Sequence, residues 1–206
     1  MTLENQTIEE RKLAFLKPHL LIIRGVPGSG KTSLAKEIQK RLGLESSVVI
    51  DPDEIDKQSP NYRSFIEDLK SNSPDIDESI YPYRFLLSRA KKAIELGTTV
   101  VWDQPFTVLD GLKYTTGTLT AHAKDLGISL SVIIVELQIP KEEAIKRINK
   151  RESEGGHGLT VDQINFFFEK YSTAEGFGFT TLRFETINKS SIELVDEVVL
   201  NIGIKK

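Results

Sequence analysis

A lysine and a threonine close a glycine-rich turn at Gly25-Val26-Pro27-Gly28-Ser29-Gly30-Lys31-Thr32, which satisfies the pattern G-x-x-x-x-G-K-[ST] in full. The chemistry available to such a turn is phosphate binding. Glycines let the backbone wrap an anion without obstruction by Cβ, so successive N–H groups and the N-terminus of the next helix converge on it. Lys31 then reaches the outer phosphates of a nucleotide, and Thr32 offers its hydroxyl to Mg²⁺. The stretch Gly25, Val26, Pro27, Gly28, Ser29, Gly30, Lys31, Thr32 and Ser33 is the expected nucleotide contact surface. ATP with Mg²⁺ is the expected ligand, GTP is left open, and Thr32 is the expected metal-binding side chain.

Carboxylates recur where other short apolar runs end. Val48-Val49-Ile50 leads into Asp51-Pro52-Asp53, and Val100-Val101-Trp102 leads into Asp103-Gln104. An ionised carboxylate at such a position accepts a proton from an attacking hydroxyl when it lies within hydrogen-bond reach, and Asp53 is the candidate base. The competing explanation is that Asp51 and Asp53 cap the turn that follows the strand, as aspartates favour. Asp103 suits either the hydration shell of a magnesium ion or the acceptor, and Gln104 suits the acceptor.

A third group lies after Pro140. Lys146, Arg147, Lys150 and Arg151 stack like charges at i,i+4 spacing, which an anion would relieve, and the run enters the glycine-rich Glu154-Gly155-Gly156-His157-Gly158. Residues 146–160 therefore read as a hinged lid over bound phosphates, with Arg151 the expected phosphate contact and Arg147 and His157 candidate substrate contacts. The alternative is a solvated helix, since Glu142 and Glu143 stand four residues before Lys146 and Arg147.

Positioning these groups requires a sheet whose strands all end at one edge. The apolar runs 20–23, 48–50, 100–102, 132–135 and 182–187 read as strands buried on both faces. Between them lie helical segments at about 31–42, 61–71, 80–96, 108–126, 141–153, 160–173 and 190–202. Strand–helix alternation predicts a three-layer α/β fold, a parallel sheet of about five strands covered by helices on both faces. A weakly amphipathic helix over 5–16 is expected as an appendage within 1–17. Phe166, Phe167 and Phe168 read mainly as core.

With 206 residues, residues 1–206 are expected to form one domain. A net charge of −3 argues against a generic grip on nucleic acid, and the absence of cysteine excludes thiol chemistry. No apolar run reaches the ~20 residues of a membrane span, so no membrane association is expected and the cytoplasm is the expected compartment.

The stretches GVPGSGKTSLA, VVIDPDEIDKQSPNYR, the Tyr81-Pro82-Tyr83 entry to a long helix, VVWDQPFT and IPKEEAIKRINKRESEGGHGLT together resemble the zeta-toxin-like group of nucleoside-kinase-like P-loop kinases, which also looks like chloramphenicol phosphotransferases and polynucleotide kinase domains. The resemblance spans about residues 18–175. It implies a five-stranded parallel core, a helical lid, Asp53 as base and Arg151 as the lid arginine. In the toxins it implies phosphorylation of a UDP-N-acetyl amino sugar. Where the toxins carry a Glu-Gly-Thr-like acceptor motif, this chain has Asp103-Gln104-Pro105.

The leading expectation is thus an ATP-dependent phosphotransferase acting on a hydroxyl of a small molecule, with a nucleotide sugar among the acceptors considered. A nucleotide-dependent switch with slow hydrolysis, paired with an antitoxin partner, is the alternative from another class. A polynucleotide 5′-kinase is a third, which the acidic balance disfavours. The loop at Asn188-Lys189 is expected near the adenine.

Overall fold

The continuous apolar run Leu20–Ile23 forms the centre of strand β1 (His19–Gly25), in which alternate side chains enter opposite layers. Leu20 and Ile22 pack on one face, Leu21 and Ile23 on the other. The computed structural model describes residues 17–187 and 189–202, so the helix expected over 5–16 lies outside the described residues. The remaining strands are β2 (Ser47–Ile50), β3 (Thr99–Asp103), β4 (Ser131–Gln138) and β5 (Thr180–Glu185). They form one five-stranded sheet in the order β2-β3-β1-β4-β5, and every neighbouring pair is parallel.

Seven α-helices cover the sheet among the described residues, the first six in the crossovers and the last after β5: α1 (Lys31–Leu42), α2 (Pro60–Asn72), α3 (Tyr81–Glu95), α4 (Leu109–Asp125), α5 (Lys141–Ser153), α6 (Val161–Lys170) and α7 (Ser191–Asn201). Leu34 and Ile38 of α1 join Leu194, Val195 and Val198 of α7 against one face of the sheet. Leu86, Ala90 and Ile94 of α3 join Leu112 and Leu119 of α4 against the other. Three layers result, as the alternation of elements requires. Because β1 crosses over toward β2 and β4 toward β5, the connections diverge between β1 and β4, where a crevice opens beyond the carboxyl ends of the strands.

One polar cluster interrupts the apolar layers. Arg24 and Glu136 stand opposite each other in the β1–β4 register, both fully buried, with Nη1 donating to Oε1 at 2.6 Å. Arg24 Nη2 also donates to the carbonyls of Phe106 (2.7 Å) and Ser172 (2.6 Å), and its guanidinium lies 4.5 Å from the Tyr171 ring centroid. Glu136 accepts from Arg183 Nε (2.9 Å), the Tyr171 hydroxyl (3.2 Å) and the Ala174 amide (3.1 Å). Burial pushes the Tyr171 phenol up, so it remains a donor to that carboxylate. The cluster ties five segments together: β1, β4, β5, the β3–α4 loop and the chain leaving α6.

Removing one member of a buried pair leaves the other charge uncompensated, a loss of about 3–5 kcal/mol. Glu136→Ala is expected to lower the stability of the chain by that amount, measured as a fall in the urea midpoint with the slope unchanged. A loss below ~1 kcal/mol would show that solvent reaches Arg24.

Candidate active site

The turn between β1 and α1 depends on backbone that only glycine adopts without strain. Gly28 and Gly30 have φ of 82° and 93°. A Cβ on Gly28 would stand 2.9 Å from the carbonyl oxygen of Ala144, so the base of α5 packs directly on the phosphate loop. Inside the loop the Ser29 hydroxyl is buried with no partner among the described residues. Lys31 Nζ folds back to the Val26 carbonyl at 3.3 Å. An anion in the loop would satisfy the Ser29 hydroxyl and draw Lys31 forward, so these residues fit a nucleotide phosphate. Desolvation holds the Lys31 ammonium below its ordinary pKa, while Asp103, Asp51 and Asp53 pull it the other way.

The acidic wall is built from two strand ends. Asp103 terminates β3 and is 3% exposed, and its Oδ2 accepts from the Thr32 hydroxyl at 2.6 Å. Burial raises its carboxyl, and the Thr32 bond and Lys31 oppose that. A hydroxyl joined to a strand-end carboxylate is the oxygen pair that a hydrated Mg²⁺ requires, so these residues fit the ion. Asp51 follows β2 and caps the short 3₁₀ turn Pro52–Glu54 by accepting from the Asp53 amide at 2.8 Å. Burial, with the charges of Asp103, Asp53 and Glu54, pushes the Asp51 carboxyl up to about 6. Asp53 itself is exposed, and its charge bears on Lys31, Asp51 and Asp103 together. The loop after β2 thus faces the phosphate loop across the sheet edge.

On the other side of the crevice, α5 carries the basic residues. Arg151 turns back on its own loop, with Nε and Nη2 donating to the His157 carbonyl at 3.0 and 2.6 Å, and its charge reaches Lys31. His157 engages Arg151 through its backbone, and the residue is exposed. Arg147 pairs with Glu143 at 3.2 Å and donates to the Thr186 carbonyl at 2.7 Å. Thr186 follows β5 and Asp53 follows β2, at opposite edges of the sheet, so Arg147 and Asp53 do not share one side of the site. An open cavity lies nearby, lined by Gln138, Ile139, Pro140, Glu185 and Ile187 at the ends of β4 and β5. Asn188 lies outside the described residues, and Lys189 pairs with Glu197 at 2.5 Å.

Of the aromatic run on α6, Phe167 and Phe168 pack with Tyr171 against Val26, Ile139 and Ala144, whereas Phe166 is 55% exposed, a departure from the expected core. Three adjacent helical positions spread too widely for one buried face. Sequence reasoning missed the Arg24–Glu136 pair, although its signal was present: opposite charges inside two runs otherwise buried on both faces. It also missed that the indole N–H of Trp102 holds Gln104.

A family profile described as the AAA domain matches residues 20–169. No curated protein matches the chain in sequence. Among solved structures, one assigned as a kinase from Chloroflexus aurantiacus J-10-fl aligns with a TM-score of 0.61 at 15% identity, covering 92% of this chain and 98% of that one. A gluconokinase from Sinorhizobium meliloti 1021 aligns with a TM-score of 0.56 at 16% identity, covering 91% and 93%. A structure of the PezAT chromosomal toxin–antitoxin system of Streptococcus pneumoniae aligns with a TM-score of 0.55 at 17% identity, covering 96% and 89%. At these identities the likeness is one of fold.

The raised Asp51 carboxyl makes stability depend on pH. Between its ordinary value of 3.8 and about 6, the folded chain binds more protons at Asp51 than the unfolded chain does. Stability from this group therefore rises as pH falls through 6 toward 4. Asp51→Asn is expected to be more stable than the parent above pH 6, with the difference shrinking toward pH 4, when urea midpoints are measured across that range without nucleotide. A difference independent of pH would refute the raised carboxyl.

Proposed function

The chain belongs to the AAA domain family, and from its site we propose that it is a kinase, transferring the γ-phosphoryl group of ATP to a hydroxyl of a small molecule. The observation that carries this reading is the exposed Asp53 after β2, whose charge bears on Lys31 of the phosphate loop from the carboxylate side of the sheet edge. A nucleotide switch needs a phosphate loop but has no use for a solvent-open carboxylate facing it.

In this reading the acceptor hydroxyl approaches from the Asp53 side. As its oxygen bonds to the γ-phosphorus, the bond from that phosphorus to the β-bridging oxygen breaks, ADP leaves, and the hydroxyl proton passes to an Asp53 oxygen. Lys31 moves from the Val26 carbonyl to the outer phosphate oxygens. Arg151, released from the His157 carbonyl, supplies a second cation to the charge spread over the phosphoryl group. Thr32 and Asp103 would hold Mg²⁺, which when bound neutralises phosphate charge. Arg147 is assigned to the nucleotide-base side, beside the cavity at the ends of β4 and β5. His157 serves through its carbonyl, as the resting partner of Arg151.

A gluconokinase and a sugar kinase among the fold neighbours support a hydroxylated metabolite as the acceptor. The PezAT likeness also makes an antitoxin-like partner worth testing, through toxicity on expression that Lys31→Ala abolishes.

Incubation with labelled ATP, Mg²⁺ and a fractionated metabolite extract is expected to label one compound. Asp53→Asn should lower transfer to it by about 10²–10⁴-fold with nucleotide affinity retained by calorimetry, and Arg151→Ala by about 10³-fold or more. Undiminished transfer by Asp53→Asn would remove Asp53 as base, and absence of ATP binding would remove the kinase reading altogether.

A further inference from the structure

The Asp53 side chain stands in solvent, so the placement of its carboxylate depends on the turn that carries it. Residues 51–54 form one hydrogen-bonded unit. The Asp51 carboxylate accepts from the Asp53 amide at 2.8 Å, the Asp51 carbonyl accepts from the Glu54 amide at 3.3 Å, and Pro52 fixes φ at the first position of the turn. The unit is stiff within itself, and its distance from the phosphate loop is set by what it touches on either side.

Ile55, next along the chain, packs into the apolar cluster that α3 and α4 form on one face of the sheet. Glu54 reaches α1, the helix on the other face, where Lys36 Nζ stands 2.7 Å from its Oε1. The turn thus straddles the carboxyl edge, anchored by apolar packing on one side and by an ion pair on the other. Lys36 lies one helical turn beyond Thr32, at the i,i+4 spacing that puts both side chains on the same face of α1. Thr32 holds Asp103 at 2.6 Å. One stripe of the helix that begins at Lys31 therefore holds both carboxylate-bearing segments, the end of β3 through Thr32 and the turn after β2 through Lys36. Glu54 keeps the Lys36 ammonium above its ordinary pKa by hydrogen bond and charge, and Asp51 and Asp103 add to this, so Lys36 lies in the field of the acidic wall. The two side chains are 58% and 52% exposed, and such a pair adds little to global stability. Its consequence is local, because Glu54 is the immediate neighbour of Asp53.

We propose that Lys36 and Glu54 are positioning residues for phosphoryl transfer: their ion pair holds the Asp53 turn at its working distance from the phosphate loop. This rests on the kinase reading and deepens it by assigning how an exposed base is aimed. Neither residue touches the reacting atoms, and both act through Asp53.

The test uses saturating labelled Mg²⁺ATP and the fraction of the metabolite extract that gains phosphate, diluted in series so that the saturating rate and the half-saturating dilution are read apart. Lys36→Met and Glu54→Gln are each expected to lower the saturating rate about three- to fivefold, the size that an exposed pair allows. The half-saturating dilution, calorimetric ATP affinity and urea midpoint should stay near those of the parent. The double variant should lose no more than either single one, because both changes remove the same interaction. Lys36→Arg, which preserves the pair, should keep the parent rate. An undiminished rate in either single variant, losses that multiply in the double one, an equal loss in Lys36→Arg, or a loss read in the half-saturating dilution or ATP affinity instead of the rate overturns the proposal while the kinase reading stands. If no fraction of the extract gains phosphate, both are overturned.

Discussion

The ion pair between Arg24 and Glu136 stands at the point where the carboxyl edge of the sheet is assembled. Two fully buried charges are costly to desolvate, and the pair is tolerable because nearly every polar atom around it is used. Glu136 receives Arg183, Tyr171 and a backbone amide as well as Arg24, and Arg24 holds two carbonyls from distant segments. The residue immediately before the phosphate loop thereby fixes the loop after β3 and the exit of α6. Apolar side chains in the same places would bind the layers equally well but would set no such register, because burial has no direction and hydrogen bonds do.

Across that edge the charges are divided. Carboxylates gather after β2 and β3, cations on α5, and the phosphate loop lies between them. The two sides are also unlike in how firmly their side chains are held. Asp103 is buried and bonded to Thr32, and the loop after it is pinned through Arg24, whereas Arg151 is exposed and held by its own helix–loop turn. Arg151 can be released by exchanging one carbonyl for a phosphate oxygen. Close packing of Ala144 against Gly28 keeps the base of α5 on the phosphate loop.

Much of the fold was legible because its signals are local. Five apolar runs, glycine-ended helices and one complete phosphate-loop pattern specify strands, helices and their alternation, and alternation with right-handed crossovers leaves few topologies for a parallel sheet. The phosphate loop was readable for the same reason: its function resides in backbone conformation that three glycines dictate over eight residues. Placement of Asp51, Asp53 and Asp103 at the carboxyl edge of the sheet followed from their position at strand ends.

What required the tertiary structure was every property that depends on which strand lies beside which. Arg24 and Glu136 are 112 residues apart, and only the β1–β4 pairing makes two isolated charges into a pair. Arg147 and Arg151 share a helix and differ by one turn, yet one is held at the β5 edge while the other folds onto the glycine-rich loop that follows the helix. Gln104 was readable as a polar residue just past a strand end, but which end of its amide faces outward was set by the indole behind it. Sequence spacing determined the elements and the phosphate chemistry of this chain. The fold alone decided partners and orientation, because electrostatic and hydrogen-bond energies fall within a few ångströms and those distances exist only after the sheet is assembled.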